Sequence, residues 1–265
     1  MSLLATGGQI LAGGTDFYPA LGERLPHGRV VDITSLKEIQ GISFQQEWIR
    51  IGGLATWSDV IRTPLPRCFD ALKAAAREIG SIQIQNRGTV AGNLCNASPA
   101  ADGVPPLLAL DAEIELASMA GRRRMPLSHF LVGNRKTSRR ADEILAAVWV
   151  PRTLEQAASV FLKLGARRYL VISISMVAAM VLVDAQSRVA AARIAVGSCS
   201  ATAQRLKDLE SALVGVPVKD AAATVRPEHL APLRPIHDVR ATGEYRSDAS
   251  LTLVRRALTA CVEAG

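Results

Sequence analysis

The stretch from residue 80 to residue 106 constrains this chain most. It is rich in Gly, Asn, Ser and Pro and reads as one long connection without regular structure. Connections of that kind are uncommon in compact domains unless they bind something. A second glycine feature lies near the start. The apolar run Gln9-Ile10-Leu11-Ala12 reads as a strand, ends in Gly13-Gly14, and leads into a predicted helix over 16–23.

Glycines at a strand-to-helix turn let backbone N–H groups approach an anion closely, and the helix N-terminus adds a favourable dipole. Thr15 can add a hydroxyl to the same oxygens. Asn86-Arg87-Gly88-Thr89-Val90-Ala91-Gly92-Asn93 again combines glycine, hydroxyl and amide residues. Two such turns suit the two phosphates of a dinucleotide, gripped from opposite sides. Neither is specific alone, because Gly-Gly before a helix is also a plain turn. The chain lacks G-x-G-x-x-G and G-x-x-x-x-G-K-[ST], so neither Rossmann nor Walker phosphate binding is supported.

A chain of 265 residues, 49% hydrophobic and 21% charged, has room for one large or two modest domains with a real core. The net charge of +7 is scattered. Its densest run, Arg122-Arg123-Arg124, follows Gly121 between strand-like segments and reads as a solvated hairpin turn. Basic and aromatic residues do not interleave, which argues against nucleic acid. Cys68, Cys95, Cys199 and Cys261 are too far apart for zinc or iron–sulfur spacing, and the four histidines show no metal or catalytic pattern. No metal site is expected. With no secretory h-region and no apolar run of about 18 residues, a membrane span is not expected and the cytoplasm is the default.

Strands are expected at 30–33, 48–51, 114–116 and 145–150, with a capping box at Thr56 and Asp59 and a helix over 66–79 ended by Gly80. The texture changes near residue 155. Segments 160–162, 170–183 and 192–196 read as strands; Leu206, Leu209 and Leu213, then Leu251, Val254, Leu258 and Cys261, share helix faces. The fold class is therefore α+β, with a smaller C-terminal domain built on a three-stranded antiparallel sheet and helices.

Ile10-Leu11-Ala12-Gly13-Gly14-Thr15-Asp16 resembles the first FAD loop of the xanthine dehydrogenase and carbon monoxide dehydrogenase flavoprotein family. Arg87-Gly88-Thr89-Val90-Ala91-Gly92-Asn93, Ala97-Ser98-Pro99-Ala100-Ala101-Asp102 and Pro105-Pro106-Leu107-Leu108-Ala109-Leu110 resemble its second loop and the segment beyond that loop. The likeness runs on through Asn134-Arg135-Lys136-Thr137 and Phe161-Leu162-Lys163 to Asp238-Val239-Arg240-Ala241 and Tyr245-Arg246. It implies a two-part FAD-binding domain of the vanillyl-alcohol-oxidase (PCMH) type over 1–154, and a carbon monoxide dehydrogenase-type flavoprotein C-terminal domain over 155–265. Family members usually carry an extra strand and helix before the first loop, whereas this chain begins almost inside it.

The resemblance implies that Ile10, Leu11, Ala12, Gly13, Gly14, Thr15, Asp16 and Phe17 wrap the FAD pyrophosphate, and that Thr89, Gly92 and Asn93 form the second phosphate turn. Asp102 matches an acidic residue that hydrogen-bonds the cofactor; by itself it also reads as a helix N-cap. Leu145 and Lys163 match FAD-contacting positions or strand-edge residues. Ile79 either faces the flavin or packs in the core. Segment 165–169 resembles the loop beside the isoalloxazine, where Tyr169 is a stacking candidate. Ala91 stands where many relatives have glycine, which questions a left-handed conformation there, and Gln85 replaces a frequent arginine.

No catalytic side chain is expected, because the flavin does the redox work. The implied partners are an iron–sulfur small subunit and a molybdopterin large subunit, with NAD or another molecule accepting electrons. Two rivals remain at this level. One is a stand-alone FAD-dependent reductase or oxidase of related fold, which needs an acid across from the flavin. The other is a binding module that has lost FAD.

Overall fold

The computed structural model describes residues 7–264. It opens with β1 (Gln9–Leu11), α1 (Phe17–Leu21) and β2 (Val30–Asp32), the two strands pairing in parallel. Next come β3 (Ile42–Phe44) and β4 (Trp48–Gly52), followed by five short helices: α2 (Trp57–Arg62), α3 (Asp70–Glu78), α4 (Ile82–Arg87), α5 (Val90–Asn96) and α6 (Val104–Ala109). β5 (Glu113–Ser118), β6 (Gly121–Pro126), α7 (Leu127–Phe130), β7 (Leu131–Gly133), β8 (Lys136–Thr137) and β9 (Ile144–Pro151) complete this part. Its main sheet has the antiparallel order β3-β4-β9-β5-β6.

Residues 80–106 are not the irregular connection their composition suggests. Thr89 explains part of this, since its hydroxyl caps α5 by accepting the Gly92 N–H at 2.9 Å. The expected capping box is present as well: Asp59 donates its N–H to Thr56 Oγ1 at 3.1 Å, and Thr56 N–H reaches Asp59 Oδ2 at 2.8 Å. Ala91 lies inside α5 and takes an ordinary helical conformation, so alanine costs nothing there. The arginine run is a second correction. Arg122, Arg123 and Arg124 form part of β6, where they pair with Glu115, Glu143 and Glu113. Arg124 also lies over the Trp48 and Trp149 rings at 4.4 and 4.7 Å, a cation–π arrangement.

The C-terminal part is a sheet of four strands, not the three expected. β10 (Ala158–Leu164), β11 (Ser175–Val183) and β12 (Val189–Gly197) are joined by β13 (Gln204–Arg205), in the antiparallel order β10-β11-β12-β13. Two residues are too few to show a strand's alternation. Both faces of β11 are buried, which gives a continuous apolar run. Met176, Ala178 and Met180 join the core shared with α2, α3 and α6, while Val177, Ala179 and Val181 pack under α8 (Lys207–Leu213) and α9 (Gly243–Ala264). The strand begins at Ser175, so residues 170–174, also expected to be extended, form a loop. That loop turns toward the first part of the molecule.

Candidate cofactor site

The two glycine turns, far apart in sequence, meet in space. A Cβ built on Gly13 would lie 2.0 Å from the Arg87 carbonyl oxygen and 3.1 Å from the Gly88 Cα, so only glycine permits the approach. Gly14 sits at φ +77°, in the left-handed region. The second turn is held from below. Trp57 N–H donates to the Gly88 carbonyl at 3.1 Å, Val90 N–H donates to the Ala55 carbonyl at 3.0 Å, and the buried Trp57 indole supports Gly103.

Between the turns opens a cleft of about 760 Å³, within the usual range of roughly 300–1,000 Å³ for small-molecule sites. Its wall carries hydroxyls from Thr15, Thr89 and Ser98, and the guanidinium-bearing Arg135 and Arg139. Asn93 Oδ1 is buried in that wall without a hydrogen-bond partner. Such an atom wants a donor, and a ligand with hydroxyl or amino groups would supply one.

Asp102 forms the floor at the other side. Lys163 Nζ reaches its Oδ2 at 2.6 Å, and the Ser173 hydroxyl donates to its Oδ1 at 2.6 Å. Burial pushes the Asp102 carboxyl above the usual carboxylate range, while the lysine charge and both hydrogen bonds work against that shift. Asp102 does not cap α6; Gly103 occupies the cap position, with no side-chain bond. Cys95 also borders the cleft, its thiol pushed up to about 11 by burial.

The structure brings most of the expected residues together. Ile10, Ala12, Gly13, Gly14, Thr15, Asp16 and Phe17 line the cleft on one side, and Ile79, Thr89, Gly92, Asn93, Asp102 and Leu145 line it elsewhere. Ile79 lines the cleft and also packs against the core. Leu11 stays behind the wall, its Cδ1 over Gly14, and Lys163 stays behind Asp102. Tyr169 is exposed and lies outside the lining, whereas its neighbours Leu170, Val171 and Ile172 line the cleft.

Sequence reasoning missed Gly53, Trp57, Arg135 and Arg139 as lining residues. Gly53 had a signal, being the second of a glycine pair after a strand. A Cβ there would meet the Leu145 carbonyl at 2.2 Å, so this glycine lets β9 approach. Arg139 had no local signal. It is placed by donating to the Glu143 carbonyl at 2.6 Å, a bond that only the folded chain reveals.

A family model described as the FAD binding domain in molybdopterin dehydrogenase matches residues 2–153. The chain belongs to this family of FAD-binding subunits. A second model, the CO dehydrogenase flavoprotein C-terminal domain, matches residues 160–261. The nicotinate dehydrogenase FAD-subunit of Eubacterium barkeri is 37% identical over 79% of this chain and 72% of its own length. The putative xanthine dehydrogenase FAD-binding subunit of Escherichia coli K12 is 32% identical over 100% of this chain and 92% of its own. Among solved structures, carbon monoxide dehydrogenase from Hydrogenophaga pseudoflava, in a form lacking the Mo-pyranopterin moiety, superposes with a TM-score of 0.86. It is 26% identical and covers 98% of this chain and 92% of its own.

The FAD-binding subunit is thus an oxidoreductase component of the xanthine and carbon monoxide dehydrogenase type. Its cleft suits FAD chemically: two glycine turns for two phosphates, arginines for their charge, and an orphan acceptor for a hydroxyl-bearing chain. Among the described residues no group of three or more His, Cys, Asp or Glu could hold a metal ion, and no helix is long and apolar enough to cross a membrane.

Proposed function

We propose that the cleft between the Gly13 and Gly88 turns holds FAD, and that the subunit relays electrons within a molybdopterin-dependent hydroxylase. The observation that carries this reading is the contact of Gly13 with the Arg87 carbonyl, which joins two phosphate-type turns on one cleft. In this reading residues 10–17, with Thr89, Gly92 and Asn93, hold the pyrophosphate and the chain beside it. Ile79, Leu145 and Asp102 contact the rest of the cofactor, and Lys163 acts through Asp102. The division into a vanillyl-alcohol-oxidase-type domain over 1–154 and a C-terminal domain over 155–265 is supported by the gap between the two family matches.

FAD, when bound, supplies a ring able to take and release electrons singly or in pairs. The polypeptide binds it, orients it and limits access to it. Electrons would come from a partner iron–sulfur subunit fed by a molybdopterin large subunit, and leave to NAD or another acceptor. The named relatives, a FAD-subunit and a FAD-binding subunit, support such an assembly. The unpaired thiols of Cys68, Cys95, Cys199 and Cys261 fit a reducing cytoplasm. Family membership removes the reason for a stand-alone reductase.

The test is to incubate the purified chain with FAD, remove the excess and record its visible spectrum, with elemental analysis alongside. Flavin bands in stoichiometric amount, with neither iron nor molybdenum, are expected. Stoichiometric metal in the isolated chain, or no flavin even when the partner subunits are present, would overturn the reading.

A further inference from the structure

Arg246 lies in the first turn of α9, outside the cleft, with 2% exposure. Its Nη1 donates to the Ile174 carbonyl at 2.5 Å and to the Ser198 carbonyl at 2.9 Å, while Nη2 donates to Asp238 Oδ1 at 2.7 Å. Asp238 is fixed in turn, because its Oδ1 accepts the Arg240 N–H at 2.8 Å and the Ala241 N–H at 3.3 Å. Arg246 Nε is buried without a partner.

Each carbonyl belongs to a segment that reaches the cleft. Ile174 follows Ser173, the donor to Asp102, and the loop before it supplies Leu170, Val171 and Ile172 to the wall. Leu170 is held at φ 50°, uncommon for a leucine, so this loop needs firm ends. Ser198 donates its N–H to the Pro99 carbonyl at 3.0 Å, next to Ser98 in the cleft wall, and itself sits at φ 61°. Ile174 precedes β11 and Ser198 follows β12, so one guanidinium ties together two strand ends and, through them, two parts of the site.

Stability alone is a poor reason for such a group. A buried charged pair can often be replaced by packed apolar side chains at no loss, and an unpaired N–H adds to its cost. A planar fork of donors does offer fixed geometry, which an apolar side chain cannot. We propose that Arg246, oriented by Asp238, is a positioning residue of the cofactor site. It fixes the Ile174 and Ser198 carbonyls, and thereby the segments that carry Ser173 to Asp102 and brace Pro99. The inference rests on the cleft being the FAD site.

The experiment compares the full-length wild type with Arg246→Lys, Asp238→Asn and Ser173→Ala. FAD is titrated into each, visible circular dichroism of the bound flavin is recorded, and amide exchange is followed without cofactor. Arg246→Lys is expected to weaken FAD binding about tenfold or more, alter the flavin dichroism and speed exchange of the Ser198 amide. Ser173→Ala should reproduce part of the dichroic change with little loss of melting temperature, and combining it with Arg246→Lys in one chain should give a less than additive loss of FAD affinity. A lower melting temperature with unchanged FAD affinity and dichroism would make Arg246 merely structural and overturn the proposal. If Arg246→Lys does not fold, unchanged affinity in both Asp238→Asn and Ser173→Ala overturns it equally. A wild type that takes up no FAD even with the partner subunits present overturns the site reading itself, and the proposal with it.

Discussion

The Lys163 ammonium lies 2.6 Å from the Asp102 carboxylate, and both side chains are 8% exposed. An ion pair that deep is less a source of stability than a liability if broken, because each member is tolerated only beside the other.

Lys163→Met leaves the Asp102 carboxylate without its counter-charge, held only by the Ser173 hydroxyl. Burial already raises the Asp102 carboxyl, and losing the lysine raises it further. A group raised in the folded state favours folding most below its unfolded value, and that favour is lost as pH rises through the folded value. The variant should therefore lose about 3 kcal/mol near neutral pH, where the charge has no counter-ion, and less in mild acid. Denaturant titrations at two pH values check this; equal losses at both would show that the two side chains are not coupled.

Gly13 and Gly41 make a matched pair for the glycine argument. A methyl at Gly13 meets the Arg87 carbonyl, whereas Gly41, at φ +67°, has nothing within 4 Å of the same methyl. Gly41→Ala should cost about 1–2 kcal/mol, the left-handed penalty, and leave FAD affinity unchanged. Gly13→Ala should separate the turns and lower FAD affinity about a hundredfold or more. Melting curves and FAD titration of both variants decide it, and equal affinities would remove the role assigned to the turn contact.

Asp238 gives an acid signature. Burial would raise its carboxyl, but the Arg240 amide, the Arg246 guanidinium and the Ala241 amide outweigh that and hold it at about 2. A depressed carboxyl contributes stability above its unfolded value of 3.8 and loses it as pH falls toward 2. Acid titration of Asp238→Asn should show a shallower fall in stability between those limits than the wild type. Parallel curves would mean that the carboxylate does not titrate with folding.

Much of the site could be read from the sequence because glycine and capping residues act locally. Gly13, Gly14, Thr56 and Thr89 each announce a turn or helix start within a few residues. What escaped depends on distant partners. The apolar run from Leu170 onward looks like strand throughout, yet Leu170, Val171 and Ile172 bend into the cleft while Ser175 onward enters the sheet. Apolar side chains satisfy either fate, and what separates them is a set of anchors from distant residues, Asp102 to Ser173, and Leu164 and Arg246 to Ile174. β13 escaped for a plainer reason: its two residues pair with Ala195 and Val196, which nothing local foretells.

The order of the chain gives the Arg246 anchor a consequence in biosynthesis. Every residue of the cleft wall, from Ile10 to Ile172, leaves the ribosome before α9 is made, and at cellular elongation rates the interval lasts seconds. A nascent or clipped copy that lacks α9 would thus carry every wall residue but neither the Arg246 brace nor the helix that covers one face of β11. Cofactor capture would then sort copies that carry α9 from copies that lack it, with the flavin marking those whose brace is in place.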